Sequence, residues 1–185
     1  MQVRKLVLKM DCSLDGFIGG PNGQLDWLIP QFDKEHSEWL VEKLWKAGAH
    51  LMGSETYSGM ASHWPNSAEP YAAPMNQIPK VVFSRTLKKT TWGETQIVSG
   101  DLISEIVRMK HESGDYLLAH GGARFSQALI ETGLIDEYWL IIHPVALGSG
   151  LRLFPELATP IRFRLVGETT FKTGVIATVL QPARD

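Results

Sequence analysis

The sequence predicts an α/β fold, a three-layer α/β/α sandwich with a mixed, mostly parallel sheet of about eight strands and a C-terminal antiparallel hairpin. Two patterns indicate it: apolar strand segments alternate with helical segments through most of the chain, and two strand segments close it. Alternation is typical of parallel strands whose crossover helices cover both faces of the sheet, and the closing pair adds an antiparallel edge. With 185 residues and no evident linker, residues 1–185 are predicted to form a single domain.

The elements of the first half follow from apolar periodicity and from turn residues. We predict a strand over 3–10, a helix over 33–48, a strand over 49–53, a short helix over 54–60 and a loop over 62–79. The first helix is indicated by Leu40, Leu44 and Ala47, which share one face, and Gly48 is expected to end it. Proline, asparagine and serine are frequent in the loop, which would be a lid or a tolerated insertion.

The second half continues the alternation and ends in a hairpin. We predict strands over 80–84, 95–99, 115–122 and 135–147, helices over 101–114 and 123–133, and hairpin strands over 161–171 and 175–182. Asp101 or Ser99 would cap the first of these helices. The predicted inner stripe of that helix is Ile103, Ile106, Val107 and Met109.

Composition excludes several classes of function. The net charge of −2 gives no electrostatic basis for binding nucleic acid or an anionic membrane, and no apolar run is long enough to span a bilayer. The single cysteine, Cys12, cannot form an internal disulfide, which fits a reducing compartment and a cytoplasmic location. No metal site is predicted, because the six histidines are scattered without ligand spacing. The expected partner is therefore a small-molecule substrate.

Two predicted strands end in glycine and lead directly into a helix. The segments are Gly53-Ser54-Glu55-Thr56 and Gly121-Gly122-Ala123-Arg124-Phe125. Glycine lets the backbone approach a ligand closely, and the first turn of a helix presents unpaired N–H donors and a partial positive charge. Because ligands of such sheets bind beyond the carboxyl ends of the strands, two helix starts at one cleft would form a pyrophosphate site. Glycine before a helix is common, however, and each segment alone could be structural.

A third strand end carries a hydroxyl and a guanidinium. Ser84 and Arg85 follow the apolar run at 81–83. This pair can hold a phosphate monoester, although an arginine in this position could equally be a solvated surface charge.

Polar residues also crowd the end of the first strand. Lys9, Asp11 and Cys12 lie there, followed by a Ser-Leu-Asp-Gly turn over 13–16. Asp-Gly is a common turn pair, so Asp15 is expected to shape the turn rather than to do chemistry.

Together these segments resemble the dihydrofolate reductase superfamily, and within it the reductase domain of the bifunctional riboflavin-biosynthesis deaminase–reductase. The motifs that carry the resemblance are LKMDCSLDGFIG, LMGSETY, VVFSRT, LLAHGGARFSQALIETGLIDEYWL and HPVALGSGLRLF. The resemblance spans nearly the whole chain in the order of its elements. It implies an NADPH-dependent reductase that transfers a hydride to a small planar heterocycle, similar to the 5-amino-6-(5-phosphoribosylamino)uracil reductase type.

The resemblance also implies roles for individual residues on the cofactor side. The backbone at Asp11 and Ile18 would hold the nicotinamide carboxamide, and Ser84 with Arg85 would hold the ribose 2′-phosphate. The pyrophosphate would lie between Gly53, Ser54 and Thr56 on one side and Gly121, Gly122, Ala123, Arg124 and Phe125 on the other. A cis peptide between Gly121 and Gly122 is expected on the same basis.

The substrate side departs from the patterns of both relatives. Phe32 and Ile141 stand where folate reductases place a carboxylate and its supporting threonine, which argues against dihydrofolate as the substrate. His120 replaces the acid that the riboflavin-pathway domain has before its glycine pair, and that domain's Asp-Asn-Pro-x-Leu-Thr segment has no counterpart. The expected substrate pocket is lined by Trp27, Leu28, Phe32, Met60, Trp64 and Gly148. Acid–base catalysis would come from Lys9, Asp11 or His120, or from water.

Three hypotheses remain open at this point. They are an NADPH-dependent reductase of a small planar heterocycle, an enzyme of the riboflavin pathway proper, and a nucleotide-binding relative whose substrate activity differs or is lost. Turnover of NADPH with a panel of pyrimidines and pterins would separate them. Apolar strand surface over 137–147 and in the final hairpin, with the tendency of the relatives to pair, predicts a homodimer.

Overall fold

The structure, a computed structural model, describes residues 3–28 and 34–183. Its strands are β1 (Leu6–Ser13), β2 (Phe17–Gly19), β3 (Ala47–Gly53), β4 (Lys80–Phe83), β5 (Thr95–Val98), β6 (Tyr116–Ala119), β7 (Glu137–His143), β8 (Leu151–Arg152), β9 (Phe163–Thr170) and β10 (Ile176–Pro182). Its helices are α1 (Lys34–Trp45), α2 (Ser54–His63), α3 (Ala72–Gln77), α4 (Leu102–Lys110) and α5 (Ala123–Thr132), and a 3-10 turn spans Trp64–Asn66. None of these helices has the length and apolar character needed to cross a membrane.

One sheet of eight strands, in the order β5-β4-β3-β6-β1-β7-β10-β9, forms the middle layer. The strands from β5 to β7 pair in parallel, with β1 between β6 and β7. At the other end, β10 runs antiparallel to both β7 and β9. The predicted mixed, mostly parallel sheet with a C-terminal antiparallel hairpin is therefore confirmed.

Alternation of side chains along β1 divides the core into two layers. Leu6 and Met10 face one side of the sheet, where buried residues of α4 and α5 pack against them. Val7 faces the other side and shares a second hydrophobic cluster with α1, α2 and α3. Lys9 and Asp11 follow Val7 on that second face, because successive side chains of a strand alternate between faces. Charged groups therefore enter the second layer at the carboxyl end of the central strand.

The segment 62–79 is not the loop that its composition predicts. Helix α2 continues to His63, the 3-10 turn follows, and α3 forms within the same segment. Tyr71 and Met75 are buried in the second hydrophobic cluster. Their apolar contacts anchor the second half of the segment to the core in spite of its prolines.

The first helix ends earlier than predicted. α1 stops at Trp45, and Gly48 lies inside β3 instead of ending the helix. A Cβ at position 48 would lie 2.3 Å from Arg4 Nη2. Glycine is therefore present at this position for close packing rather than for a helix cap.

The predicted inner stripe of α4 is half right. Ile106 and Met109 are buried, whereas Ile103 and Val107 are 51% and 38% exposed. A helix of nine residues at the surface buries only a narrow stripe, and these two residues lie outside it. Of the two caps that the sequence allows, Asp101 is the one used.

Asp15 ties the turn over 13–16 to the loop that follows β7. Its carboxylate accepts hydrogen bonds from the Ser13 hydroxyl at 2.7 Å, the Leu147 amide at 3.1 Å and the Gly148 amide at 2.7 Å. The Ser13 bond first, and the Gly148 bond next, lower the pKa of Asp15 to about 2. The carboxylate thus fixes a loop, in keeping with its place in an Asp-Gly turn.

Candidate active site

Two helix starts line one cleft at the carboxyl end of the parallel strands. Gly53 ends β3 and precedes α2, and Gly122 precedes α5. A cleft of about 250 Å³ opens between these two helix starts. Its lining consists of Gly53, Ser54, Glu55, Thr56, Phe83, Gly122, Arg124 and Phe125. The two glycine segments singled out in the sequence therefore share a cavity.

The helix starts at this cleft carry no side-chain caps. In neither α2 nor α5 does an N-cap side chain accept a hydrogen bond from a first-turn N–H. Helix α4 differs, because the Asp101 carboxylate accepts the Ser104 N–H at 2.9 Å. The first-turn N–H groups of α2 and α5, with the positive ends of the helix dipoles, are thus left for a ligand. An anion is the ligand that such groups favour.

Thr56 joins the two sides of the cleft. Its hydroxyl donates a hydrogen bond to the Gly121 carbonyl at 2.5 Å. The hydroxyl hydrogen is therefore used within the protein, and only the lone pairs of the oxygen remain for a ligand. In this geometry Thr56 holds the second glycine segment in place rather than donating to an anion.

Gly122 makes the turn that the second glycine segment needs. Its φ is +104°, and a Cβ at this position would lie 2.4 Å from Thr56 Oγ1. A side chain is excluded here by both the backbone conformation and the contact. The peptide bond between Gly121 and Gly122 is trans, so the expectation of a cis bond is wrong; the positive φ of Gly122 turns the chain instead.

Stacked aromatic rings form one wall of the cleft. The rings of Phe83 and Phe125 are 5.3 Å apart between centroids and nearly parallel. A Cβ at position 53 would lie 3.2 Å from Phe125 Cβ, so Gly53 lets α5 pack closely against the end of β3.

The basic and hydroxyl residues expected to bind phosphate differ in their placement. Arg124 lines the cleft, whereas Ser84 and Arg85 directly follow a lining residue, the last of β4. The Ser84 oxygen accepts the amides of Thr86 and Leu87 at 3.2 and 3.0 Å. Ser84 thus shapes the turn after β4 and leaves the exposed guanidinium of Arg85 just outside the cleft.

An ion pair and a histidine meet at the end of β1. Lys9 forms an ion pair with Asp11 on one face of the strand, and His143 Nε2 lies 3.1 Å from the other carboxylate oxygen. Burial acts to raise the pKa of Asp11, but the charge of Lys9 and the hydrogen bonds from His143 and Lys9 outweigh burial and lower it. Asp11 therefore stays ionised and faces the amino group of Lys9.

The family described as "RibD C-terminal domain" matches residues 4–177 of the chain. The chain belongs to this family. A similar curated protein, "Uncharacterized protein YyaP" of Bacillus subtilis (strain 168), is 29% identical over 184 residues, which cover 97% of this chain and 95% of that protein. The resemblance that the motifs indicate is thereby confirmed.

Solved structures show the same fold. A putative riboflavin biosynthesis protein from Shewanella sp. PV-4 has a TM-score of 0.77 at 24% identity, over 97% of this chain and 99% of that one. Dihydrofolate reductase from Enterococcus faecalis, complexed with NADP(H), has a TM-score of 0.64 at 14% identity, over 97% of each chain. The RibD C-terminal domain formed by this chain thus has a dihydrofolate reductase-like fold.

Some of the residues expected to bind substrate lie near the Lys9–Asp11 pair in this RibD C-terminal domain. The Trp27 ring meets His143 edge-on, with 5.5 Å between centroids, and Leu28 beside it is half-buried. Gly148 lies in the loop that Asp15 holds. Ile18, expected to act through its backbone, is buried in β2, which pairs with β8.

Other expected substrate residues are placed elsewhere. Met60 and Trp64 are half-buried against the second hydrophobic cluster, and the Trp64 ring meets Tyr71. Both residues keep part of their surface exposed, and their role in substrate binding stays a prediction. Phe32 lies outside the described residues. Among residues 3–28 and 34–183, no group of three or more His, Cys, Asp or Glu side chains could hold a metal ion.

His120 forms a buried pair with a histidine of the neighbouring strand. Its Nε2 lies 2.8 Å from His50 Nδ1, and the two residues are 5% and 0% exposed. Burial lowers the pKa of His50 to about 4, and burial, followed by the charge of His50 and then that of Lys9, lowers the pKa of His120 well below its usual range. Both rings are therefore neutral near pH 7, and His120 is not an acid there.

This pair makes a testable prediction about stability in acid. The unfolded chain binds a proton at each histidine near pH 6.5, whereas folded His50 binds one only near pH 4. The unfolded state thus holds more protons in this window, so the free energy of unfolding falls as the pH drops below about 6.5. Between pH 7 and pH 5 we expect a loss of about 2 kcal/mol from His50, and a further loss from His120 in the same direction. Urea unfolding at the two pH values measures it.

The control for this prediction is a pair of variants. His50→Leu with His120→Leu should abolish most of the loss between pH 7 and pH 5. His111→Gln, at an exposed position, should leave the loss of unfolding free energy between pH 7 and pH 5 unchanged. An equal loss in the double variant and in the wild type would show that the buried pair is not its source.

Sequence reasoning singled out Asp11 and His120 but missed the histidines that contact them. Nothing in the sequence assigned roles to His143 and His50, because their contacts depend on which strands are neighbours. A partial signal exists: His50 and His143 occupy strand positions on the same face as Asp11 once the order β3-β6-β1-β7 is known. The thiol of Cys12 is buried on the opposite face, and burial followed by the charge of Asp11 raises its pKa to about 12, so it stays protonated.

Proposed function

We propose that this chain is an NADPH-dependent reductase that acts on a small planar heterocycle. The observation that carries the proposal is the cleft at which two uncapped helices begin, at Ser54 and Ala123. The likeness of the fold to a dihydrofolate reductase complexed with NADP(H) supports it. The membership in the RibD C-terminal domain family supports reduction as the class of reaction.

The cleft fits a pyrophosphate. Glycine at positions 53 and 122 leaves the backbone N–H groups of α2 and α5 accessible, and a Cβ at Gly122 would displace Thr56. Arg124 adds a positive charge to the lining. Glu55 opposes an anion by its charge, but it is exposed and lies among donors that outnumber it.

The end of β1 is where chemistry would take place. Bound NADPH supplies the hydride in this proposal, with its carboxamide held by the backbone of Asp11 and Ile18. Lys9 holds a proton at Nζ beside the substrate, and the ionised carboxylate of Asp11 fixes that ammonium group. His143 and Trp27 border the same place. His120 is neutral and forms a hydrogen bond with His50. It would therefore help to position the Lys9–Asp11 pair rather than donate a proton.

The substrate is tested by turnover. NADPH oxidation is followed at a fixed protein concentration with a panel of pyrimidines and pterins. Oxidation with 5-amino-6-(5-phosphoribosylamino)uracil selects the riboflavin pathway, and oxidation with another planar heterocycle selects the broader proposal. Tight binding of NADPH without any acceptor supports the alternative, a nucleotide-binding relative whose substrate activity is lost. A chain that binds no dinucleotide at millimolar concentration contradicts both.

A homodimer is part of the proposal as well. β9 is an edge strand of the sheet, and its Leu165 and Val166 are 51% and 44% exposed. Apolar side chains on a long edge strand favour burial against another chain.

Arg85 tests the preference for NADPH over NADH. A forked, charge-assisted contact to the 2′-phosphate, with the Ser84 hydroxyl beside it, is worth about 1.5–3 kcal/mol. Arg85→Ala should therefore weaken NADPH by about 10- to 150-fold and leave NADH nearly unchanged. Tryptophan fluorescence quenching gives both dissociation constants.

The matched control is Lys88→Ala, which removes an exposed positive charge three residues further along the same segment. It should change neither dissociation constant by more than about twofold. Equal weakening of both dinucleotides in Arg85→Ala would mean that the arginine is structural. In that case Arg124, which lines the cleft, becomes the candidate for the phosphate.

A further inference from the structure

The ends of β4 and β5 leave the sheet side by side. Phe83 pairs with Val98, and the Ser84 amide donates to the Val98 carbonyl at 2.9 Å. Arg85 therefore lies one residue beyond this bond on one strand, and Asp101 three residues beyond it on the other. The guanidinium proposed to bind the 2′-phosphate thus has a carboxylate as its neighbour across the strand ends.

The carboxylate of Asp101 is fixed in place. Its Oδ2 accepts both the amide and the hydroxyl of Ser104 at 2.9 Å each, which makes it the cap of α4. The Ser104 bonds first, and the charge of Arg85 as a smaller cause, lower the pKa of Asp101. Asp101 is therefore ionised at neutral pH, and the Arg85 charge is within range to act on it.

A second carboxylate in the first turn of α4, that of Glu105, already forms an ion pair. Glu105 lies near Gly100, whose added Cβ would be 3.0 Å from Glu105 Oε1. Its Oε2, however, accepts a hydrogen bond from Arg108 at 3.0 Å. Asp101 is thus the carboxylate beside Arg85 that has no ion pair with another cation among the described residues.

We propose that Asp101 is a specificity-determining residue that lowers the preference of the cleft for NADPH over NADH. This inference rests on the proposed function. A ribose 2′-phosphate bound at Arg85 is repelled by the charge of Asp101, which also offsets part of the positive potential of Arg85. A 2′-hydroxyl carries no charge to repel and can donate a hydrogen bond to a carboxylate. Arg85 therefore favours NADPH, whereas Asp101 favours NADH. With both residues present, the cleft is expected to bind both dinucleotides.

The test is Asp101→Asn, because asparagine caps a helix as well as aspartate does and removes only the charge. NADPH should bind about fivefold more tightly, while NADH stays the same or weakens. The gain should shrink at high salt, since exposed charges are screened. The control is Glu131→Gln, which removes an exposed negative charge in the last turn of α5, and it should change neither dissociation constant.

A double variant distinguishes the possible outcomes. If Asp101 acts through Arg85, adding Arg85→Ala should remove most of the gain produced by Asp101→Asn. If the NADPH-to-NADH ratio stays within twofold of the wild type in Asp101→Asn, the inference is overturned and the proposed function stands. If the wild type binds neither dinucleotide, the proposed function fails first. Thermal unfolding of each variant checks that the α4 cap is retained.

Discussion

Replacing Gly122 with alanine should abolish tight binding of the dinucleotide. The new Cβ would lie 2.4 Å from Thr56 Oγ1 at a φ of +104°, so either the glycine segment or Thr56 must move. Movement breaks the Thr56–Gly121 hydrogen bond and withdraws the first amides of α5 from the cleft. Losing two charge-assisted hydrogen bonds costs about 3 kcal/mol or more, which weakens binding by more than about 100-fold.

Gly133 offers a matched control for this substitution. It ends the same helix, has a φ of +67°, and a Cβ there meets no atom within 4 Å. Gly133→Ala therefore also places a side chain at a positive φ, with less strain because Gly133 is in the left-handed α region, and without a clash at the cleft. Calorimetric titration of NADPH should show wild-type affinity for Gly133→Ala. Wild-type affinity for a folded Gly122→Ala would mean that the pyrophosphate lies elsewhere.

Lys9→Met should remove most of the turnover while leaving NADPH binding within a few-fold. The substitution keeps the length of the side chain and removes the proton at Nζ. Loss of a positioned general acid lowers the rate by about 10²- to 10⁴-fold. In the wild type, burial acts to raise the pKa of Asp11, but Lys9 and then His143 lower it, so Asp11 has no proton to give near pH 7 while Lys9 is present. The measurement is kcat with the acceptor identified from the panel, together with the NADPH dissociation constant.

Lys5→Met is the matched control, at the residue just before the same strand. Lys5 also pairs with a carboxylate, Glu137 at 2.6 Å, but at the opposite end of β1. The Lys5→Met variant should leave kcat unchanged. A kcat for Lys9→Met within threefold of the wild type would assign the proton to water instead.

Sequence reasoning succeeds where the signal is local. The strands, the hairpin and the two glycine segments each depend on a few consecutive residues, and the structure places these elements as predicted. It fails where apolar residues are hidden in a polar segment: Tyr71 and Met75 order the stretch that composition assigned to a loop. The opposite error concerns Ile103 and Val107, which were predicted to be buried and are exposed. The spacing of apolar residues in a helix indicates which face is buried but not how wide that face is.

The polar contacts of the site depend on strand order, which no local pattern contains. His120 and His50 are 70 residues apart in sequence, and His143 and Asp11 are 132 apart. Each pair meets because β6 lies between β3 and β1, and because β7 lies beside β1. A resemblance to a family supplied the order of elements but did not identify these side-chain partners.

The hydrogen bond between Thr56 and Gly121 has a kinetic consequence. It joins the starts of α2 and α5 before any ligand arrives, so the cleft is preorganised and little conformational entropy is lost when it is filled. Under the proposed function, association should then be an encounter with a preformed surface rather than a closure around the ligand, and the observed rate should rise linearly with dinucleotide concentration. Differences in affinity between dinucleotides are then expected mainly in their dissociation rates.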